Sequence, residues 1–420
     1  MKKCIVFTIL MVVTGLNISC ENEGQPEPNV GPKQIEISAE TRQLIDSDNK
    51  FGFELMQKIA ESQDEAKNTM ISPVSVSLAL AMTYNGAAGE TKKAMEETLH
   101  LNGLSTEQIN ESYKSLMESL LSVDEKVTME IANSIWYREE FQVEQDFIDV
   151  NEKYYDAGVS ALDFDNPEAV DIINNWVAEK THNKIPEIIE KIDPLDVMFL
   201  INALYFNGKW KYQFDEEKTT EEPFYLEDGS EIQTDMMVTE TDLRYHRNDL
   251  FQAVELPYGR GNYSMVCFLP SNDHQPDDII ATMNNENWNQ WMENLDTTAI
   301  EMHLPKFKFE YKKKLNEMLK LLGMEEAFNP DESDFSGINP DRKDLHISEV
   351  LHKTFVEVDE KGTEAAAVTS VTLTVTSVGG GGPMVLRFDR PFVFAIREVT
   401  TNTIVFMGKL EEPLQSIMGK

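Results

Sequence analysis

Cysteine is scarce in this chain, which has three cysteines among 420 residues. Cys4 and Cys20 lie near the amino terminus, and Cys267 lies in the apolar run YSMVCFLP (263–270). A single thiol in such a run cannot form a disulfide within the domain, so the fold has to rely on core packing instead. Hydrophobic residues make up 41% of the chain, which is ample material for a core.

Positive charge is scarce as well. The chain has 37 lysines and arginines against 74 aspartates and glutamates, and its formal net charge is −37. Phosphates would be repelled by such a surface, which excludes nucleic acid as a partner. One local basic run, Lys306, Lys308 and Lys312 to Lys314, stands against this trend. We interpret it as a solvated face, with a polyanion site as the alternative.

Signatures of catalysis and of metal binding are missing from the sequence. It has no G-x-S-x-G, H-E-x-x-H or G-x-x-x-x-G-K-[ST] motif, and its seven histidines show no metal-ligand spacing. Among 74 carboxylates some pairs fall at the spacing of glycosidases by chance, so such pairs carry no information. We therefore predict that the protein is not an enzyme, and we assign it no catalytic residue, metal or cofactor.

The first nineteen residues have the pattern of a secretory signal. Lys2 and Lys3 precede an apolar run from Ile5 to Val13, which is too short to span a membrane. Cys20 follows directly, so the pattern resembles a bacterial lipoprotein signal that ends at an acylated cysteine. We predict that residues 1–19 are removed and that Cys20 is lipidated. Simple secretion with an incidental Cys20 is the alternative.

A short tether and one large domain follow the signal. The segment ENEGQPEPNVGPK (21–33) is acidic and rich in proline, which is typical of a flexible linker. We predict a lipidated cysteine and tether over 20–37 and a single domain over 38–420, because no second linker or repeat interrupts the chain. We expect an exported protein, either a lipoprotein of the bacterial outer membrane or cell surface, or otherwise a periplasmic or secreted one.

Apolar periodicity predicts a mixed α+β domain, with helices mainly in the first half and strands mainly in the second. The stretch 71–91 contains a helix that is buried on most sides. Ser72 caps its start, Pro73 is its first residue and Asn85-Gly86 ends it. Further helices are predicted over 91–101, 171–185 and 313–324. Strands are predicted over 128–140, 197–210, 262–270, 300–311, 391–398 and 403–410.

A long strand-like segment, DEKGTEAAAVTSVTLTVTSVGGGG (359–382), lies near the end of the chain. From Thr363 to Thr376 one face is small and apolar and the other largely polar, and the extended span would be roughly 46 Å. Gly362 can act as a pivot, and the glycines at 379–382 leave the far end accessible. A permanent strand fits the alternation but not the small residues at 365–367. We interpret the segment as an exposed loop that is able to become a strand.

Several motifs of the chain agree with one protein family. EKGTEAAAVTS (360–370) resembles the hinge of inhibitory serpins. The resemblance extends, with its motifs in the same order, over nearly everything from about residue 45 to 413. The further matching signatures are ISPVSVSLALAM (71–82), NALYFNGKW (202–210), FDRPFVFAIRE (388–398) and TIVFMGKLEEP (403–413).

This resemblance implies the serpin fold, in which helices pack around three β-sheets and a reactive-centre loop, here about 360–387, is exposed. It also implies the function of a suicide-type serine protease inhibitor. The protease cuts the loop and forms an acyl-enzyme, and the cleaved loop then inserts into the main sheet and drags the protease along. The expected partner is a protease held in a covalent complex by a monomeric inhibitor.

The hinge residues that the resemblance implies are Glu360, Gly362, Thr363, Ala365, Ala366 and Ala367. Counting from Glu360 places the reactive bond between Thr376 and Ser377, whereas counting back from FDRPF places it about four residues later. We adopt the count from the hinge, because insertion length is what the trap has to control. Val375 and Val378 remain alternative cleavage sites. Thr376 with Val375 before it indicates an elastase-like protease with a small, shallow pocket.

Two further groups of residues match family motifs along the path of the loop. Ser72, Ser75, Asn202 and His352 match the shutter, a polar cluster beneath the sheet that has to open for insertion. Trp210 matches the aromatic residue of the breach, where the loop first enters. The alternatives are a simple helix cap for Ser72, a satisfied core histidine for His352 and a structural core tryptophan for Trp210.

Other functions compete with the inhibition of a serine protease. A non-inhibitory serpin would keep the fold as a binding or carrier protein. Such members typically have bulky or charged hinge residues, whereas Thr363, Ala365 and Ala367 are small. Inhibition of papain-like cysteine proteases is a further alternative. An unrelated adhesin or enzyme would leave the agreement of several motifs as an accident.

Overall fold

The structure, a computed structural model, describes residues 31–62, 67–363 and 382–413. Within these ranges the chain forms nine α-helices and fifteen β-strands. The helices are α1 (Ala39–Glu61), α2 (Pro73–Tyr84), α3 (Gly89–Thr98), α4 (Thr106–Ser122), α5 (Gln145–Tyr155), α6 (Ala169–Lys180), α7 (Pro276–Thr282), α8 (Asn285–Glu293) and α9 (Asn316–Leu319). The strands are β1 (Thr69–Ile71), β2 (Val127–Arg138), β3 (Gly158–Leu162), β4 (Met198–Lys209), β5 (Thr220–Tyr225), β6 (Glu231–Arg247), β7 (Phe251–Pro257), β8 (Tyr263–Pro270), β9 (Asp296–Pro305), β10 (Phe307–Lys314), β11 (Leu351–Val358), β12 (Gly362–Thr363), β13 (Met384–Arg387), β14 (Phe392–Glu398) and β15 (Ile404–Leu410).

Six strands form the sheet that we call the main sheet, in the order β10-β11-β12-β4-β2-β3. Its neighbours are antiparallel except β2 and β3, which are parallel. β12 has only two residues, Gly362 and Thr363, and it lies between β11 and β4. In the described part of the chain, β4 and β11 are therefore joined at one end of the sheet only.

The other nine strands form the second sheet, in the order β1-β15-β14-β8-β7-β6-β9-β13, with β5 paired to β6. β6 is 17 residues long, and it pairs with β5 along its first part, with β9 from Met236 to Tyr245 and with β7 at its end. The family resemblance implies three sheets, whereas the described residues form two. Two of the expected sheets are joined here into one, because β6 runs through both. The order of helices and strands confirms the predicted α+β class.

The predicted buried helix is α2. Nearly all of its side chains are buried, because the helix packs against β4 of the main sheet and β15 of the second sheet. The hydroxyl of Ser72 accepts a hydrogen bond from the backbone N–H of Ser75 at 3.2 Å, and Pro73 is the first helical residue. The helix ends at Tyr84, just before the predicted Asn-Gly stop. The cap therefore sets where α2 begins, directly under the main sheet.

Two of the predicted elements are wrong near the crossing between the sheets. The single strand predicted over 300–311 is two strands, because the chain leaves the second sheet after Pro305 and enters the main sheet at Phe307. The helix predicted over 313–324 keeps regular α-geometry only in α9, since β10 continues to Lys314 in register with β11. The other predicted elements are confirmed as α3, α6, β2, β4, β8, β14 and β15, to within a few residues at their ends.

Two apolar clusters form the core. The larger one fills the space between the two sheets and includes Leu204 and Phe206 of β4. The smaller one packs Ile173 of α6 against Trp136 of β2 and Ile201 of β4. Since successive side chains of a strand point to opposite faces, α6 covers the face of the main sheet opposite to α2.

The chain contacts the domain before α1 begins. The backbone N–H of Lys33 donates to Oδ1 of Asn262 at 2.8 Å, and Nδ2 of Asn262 donates to the carbonyl oxygen of Lys33 at 2.7 Å. Ile35 packs against the large apolar cluster. The predicted signal and Cys20 lie outside the described residues. No helix among the described residues combines the length and the apolar character that crossing a membrane requires.

Candidate functional site

The candidate site begins where the predicted loop enters the main sheet. Gly362 pairs with Lys209 of β4, and Thr363 pairs with Gly208 of β4 and Val358 of β11. Gly362 has φ 156°, and a Cβ at this position would collide with the carbonyl oxygen of Gly208. Only glycine therefore allows the hinge to approach β4 this closely. The start of the hinge is already a strand of the main sheet.

Thr363 is held by an aromatic stack at the predicted breach. Its side chain is buried, and its Oγ1 lies 2.6 Å from the hydroxyl of Tyr258. The ring of Tyr258 stacks on Trp210 with 4.3 Å between centroids and 13° between planes. Trp210 donates from Nε1 to the carbonyl oxygen of Asp359 and from its backbone N–H to that of Lys361, both at 2.8 Å. The structure thus places Trp210 directly beside the hinge.

Tyr258 is a hinge contact that the sequence analysis missed. Burial raises the pKa of its hydroxyl far above the usual range, so the hydroxyl keeps its proton and can donate or accept toward Thr363. The only local signal was a tyrosine directly before the turn at Gly259, which is typical of many turns. Its role depends on a residue 105 positions away.

Glu360 is fixed by an ion pair across the sheet crossing. Its carboxylate lies 3.0 Å from Nζ of Lys306 and accepts a hydrogen bond from Oγ1 of Thr219 at 2.8 Å. Burial alone would raise the pKa of Glu360, but the hydrogen bonds from its own backbone, Thr219 and Lys306 outweigh burial and lower the pKa. Lys306 lies between β9 and β10, so the crossing between the sheets presents its cation to the hinge.

Other lysines of the basic run also face carboxylates. Lys308 lies 3.1 Å from Glu357, and Lys314 lies 2.9 Å from Glu349. Lys312 pairs with a glutamate at 2.6 Å in the same way. These charges are locally matched, which is what a solvated face requires. The alternative of a polyanion site gains no support.

Beyond the hinge, β4 and β11 part and leave a cavity of about 290 Å³. It is lined by Ser75 and Ala79 of α2, by residues 198–202 of β4 and by residues 351–353 of β11. Residues between 188 and 197, which connect α6 to β4, cover part of it. The cavity therefore lies between the same two strands that β12 joins at their other end.

Three of the predicted shutter residues form one chain of hydrogen bonds below this cavity. Nε2 of His352 accepts from the backbone N–H of Ser72 at 3.0 Å, and the hydroxyl of Ser72 accepts from the N–H of Ser75. Burial lowers the pKa of His352 to about 4, so the ring is neutral near pH 7 and can act as this acceptor. Ser72 is thus both a helix cap and a partner of His352.

Asn202, the fourth predicted shutter residue, lies on β4 at the edge of the cavity. Its Nδ2 donates to Oδ1 of Asn133 at 2.8 Å. Its Oδ1 is buried and has no hydrogen-bond partner among the described residues. An unpaired buried acceptor costs free energy, which a donor arriving in the cavity would recover.

The connection between α6 and β4 is tied down on both sides. Oδ1 of Asn174 in α6 accepts from the backbone N–H groups of Ile188 and Ile189 at 2.8 and 3.0 Å. Nearer the hinge, Lys184 pairs with Glu357 of β11 at 3.3 Å. These contacts hold the connection over the gap between β4 and β11.

Several predicted residues lie outside the described part of the chain: Ala365, Ala366, Ala367, Val375, Thr376, Ser377 and Val378. Among the described residues, no group of three or more histidine, cysteine, aspartate or glutamate side chains could hold a metal ion. Cys267 is buried, and burial raises the pKa of its thiol well above the usual range, so it is not a reactive thiol.

Comparison with known proteins matches this arrangement to one family. A family model described as Serpin (serine protease inhibitor) matches residues 46–413. A serpin-like protein of Methanosarcina acetivorans, itself uncharacterized, is 32% identical over 98% of this chain and 96% of its own length. The native state of the thermophilic serpin tengpin has a TM-score of 0.81 and 37% identity, covering 90% of this chain and 96% of tengpin. Human thyroxine-binding globulin complexed with thyroxine has the same TM-score at 27% identity, covering 90% of this chain and all of that chain.

Proposed function

The chain belongs to the serpin family, and on this premise we propose that it is a suicide-type inhibitor of a serine protease. The protease cuts the loop between Thr376 and Ser377 and becomes acylated. The freed loop then inserts between β4 and β11 and carries the protease with it. We propose an elastase-like target, because threonine preceded by Val375 fits a small, shallow pocket. In this proposal the protein offers the loop that the protease cuts and then holds the protease in a covalent complex, and it is not itself an enzyme.

The observation that carries the proposal is the position of Gly362 and Thr363. They already occupy the first two places of a strand between β4 and β11, and the strands part beyond them. Continuing this strand would pair the facing edges of β4 and β11, which have no strand between them there among the described residues, and would bury apolar side chains. The described part of this strand is Gly362 and Thr363, and the space beyond them between β4 and β11 is where further strand residues would pair.

The register of the hinge also supports the shutter assignment. The hinge is antiparallel to both neighbours, and Thr363 pairs with Gly208 of β4 and Val358 of β11. If this register continued for six more residues, Thr369 would lie opposite Asn202 of β4 and His352 of β11. Thr363 points into the core, and strand alternation would point Thr369 inward as well. Its hydroxyl would then reach the unpartnered Oδ1 of Asn202. Insertion would satisfy a buried acceptor that has no partner in the part of the chain that the structure describes.

Incubation of the purified protein with pancreatic or neutrophil elastase tests the proposal. We expect a band at the summed mass on a denaturing gel, and a released peptide that begins at Ser377. Thr363→Arg places a charge at a buried position of the hinge, so the hinge should leave the main sheet while the rest of the domain stays folded. The inhibitor should then become a cleaved substrate, because the loop can no longer insert. Thr128→Arg is the matched control, because Thr128 is an exposed residue of β2 in the same sheet. Undiminished complex formation by Thr363→Arg would contradict insertion.

The second candidate function is a non-inhibitory binding protein. Thyroxine-binding globulin has this fold and is named for the ligand it binds, so the fold by itself does not require inhibition. Cleavage without a stable complex, followed by heating of the cleaved protein, separates the two functions. A large gain in thermal stability would show that the loop inserts. No gain would favour the binding protein, and a covalent band with papain instead of elastase would favour a cysteine protease target.

We propose further that the inhibitor is exported and anchored to a membrane through lipidated Cys20. The tether would leave the monomeric domain free to meet its protease at the outer membrane or cell surface, or in the periplasm or medium if Cys20 is not acylated. The intact mass of the mature protein tests this proposal. A free thiol on Cys20, or cleavage elsewhere, would rule out the anchor.

A further inference from the structure

The far end of the predicted loop is anchored by β13, at the edge of the second sheet. Its four residues pair in parallel with β9, which sets Arg387 opposite His303. Among the described strands, no other pairs with β13. Leu386 and Phe388 are buried, whereas Val385 is 55% exposed. β13 is therefore held along one edge by β9 and on one face by the core, and Val385 on its other face is exposed.

The chain between the hinge and β13 is too short for the uncleaved loop to insert while β13 stays in place. Residues 364–383 number 20. Continuing the strand from Thr363 as far as Thr376 would advance the chain by about 43 Å. The residues that remain before β13 could return only about 25 Å. β13 therefore has to detach before an uncleaved loop can insert into the main sheet as far as Thr376.

A histidine helps to hold β13 through Arg387. Nη1 of Arg387 lies 3.0 Å from Nδ1 of His303, and the other terminal nitrogen contacts Glu222 of β5. A guanidinium can only donate, so Nδ1 of His303 has to be an unprotonated acceptor. The proton of the neutral ring is then on Nε2, which lies 2.9 Å from Oε1 of Glu301. The contact between β13 and β9 requires the neutral ring.

Protonation of His303 would turn this attractive contact into a repulsive one. Nδ1 then carries a hydrogen that points at the guanidinium of Arg387, so a hydrogen bond is lost and two cations face each other. The carboxylate of Glu301 on the same strand contacts the ring, and that of Glu222 on β5 contacts Arg387. Glu240 of β6 lies opposite Glu301 in register. The broken contact joins a side chain of β13 to a side chain of β9.

We propose that His303 is a pH-sensitive latch on β13. Neutral His303 retains the strand, and protonation of the ring releases it, because Nδ1 can accept from Arg387 only while it carries no proton. The consequence for inhibition rests on the proposed function. Acidification frees the far end of the loop, so the uncleaved loop inserts sooner and the active form is lost without meeting a protease.

Hydrogen exchange of the full chain, read by mass spectrometry at about pH 7.5 and about pH 5.5, tests the latch directly. After correction for intrinsic exchange rates, we expect the amides of residues 384–388 to lose protection about tenfold at the lower pH. His303→Gln keeps an acceptor for Arg387 at both pH values and should remove this loss. His274→Gln, at a partly exposed histidine near α7, should keep it. An equal loss in His303→Gln, or none in the wild type, overturns the latch.

A second variant and a second measurement keep the test sharp. Arg387→Gln removes the cation that opposes His303, so the protection of β13 should no longer change with pH; a retained change would refute the latch. Loss of inhibitory activity over time, measured at both pH values, separates this inference from the proposed function. If the protection of the β13 amides depends on pH but the protein traps no protease, the proposed inhibition is refuted. A working inhibitor with a pH-independent β13 refutes the latch.

Discussion

Filling the cavity between β4 and β11 should stabilise the protein and impair the proposed inhibition at the same time. Ala79 of α2 lines this cavity of about 290 Å³. Ala79→Leu adds three carbons, which is little compared with the available space. At about 0.8 kcal/mol per buried methylene, we expect the free energy of unfolding to rise by about 2 kcal/mol. The gain comes from apolar contacts that the present state leaves unmade.

The same leucine should obstruct the inserting loop. In the register of the hinge, Val371 would lie opposite Leu200 and Leu373 opposite Met198, both at this cavity. The inward side chains of the loop would then compete with the leucine for one space. We expect more inhibitor molecules to be cleaved for each protease molecule trapped.

Urea denaturation and the stoichiometry of inhibition measure the two effects. Ala39→Leu, at an exposed position in the first turn of α1, is the control and should change neither quantity. A stabilised variant of Ala79 that inhibits as efficiently as the wild type would show that the loop does not use this space. A variant without added stability would show that the cavity cannot accept a leucine.

Three further changes test buried groups of the domain. Burial raises the pKa of Asp48 from 3.8 to about 7, so its contribution to stability is complete below about pH 4 and is lost as the pH rises toward 7. Asp48→Asn should therefore raise the free energy of unfolding by about 4 kcal/mol above pH 7. Burial lowers the pKa of His352 from 6.5 to about 4, so the protein loses stability as the pH falls through this range. Near pH 4 the free energy of unfolding of His352→Gln should therefore exceed that of the wild type by about 3 kcal/mol. Glu360→Gln breaks the pair with Lys306 at a cost of about 1 kcal/mol and should speed the loss of inhibition on warming.

Each of these changes has an internal reference. The two pH effects have opposite signs, so urea denaturation of both variants across pH is the measurement, and parallel curves for variant and wild type would contradict the assignment. For Glu360→Gln the control is Glu310→Gln, which breaks a pair of the same 3.0 Å length with Lys353. Equal rates of activity loss in both variants would show that the hinge is not held by its ion pair.

Much of the fold follows from signals within a few residues. Ser72 and Pro73 determine where α2 begins, because capping depends on the backbone groups of the first turn. The apolar runs of β14 and β15 predict buried strands for the same local reason. Alternation fails at Pro305, where one apparent strand becomes two, because side-chain alternation does not record which sheet a strand joins.

The sequence by itself determined the small residues of the hinge, the glycine at 362 and the length of the loop. The tertiary structure alone decided which groups act on them. Thr363 meets Tyr258 across 105 positions, and the carboxylate of Glu360 meets a lysine across 54. Arg387 meets a histidine across 84 positions. These contacts depend on how the two sheets pack and cross, and no local pattern of residues specifies that arrangement.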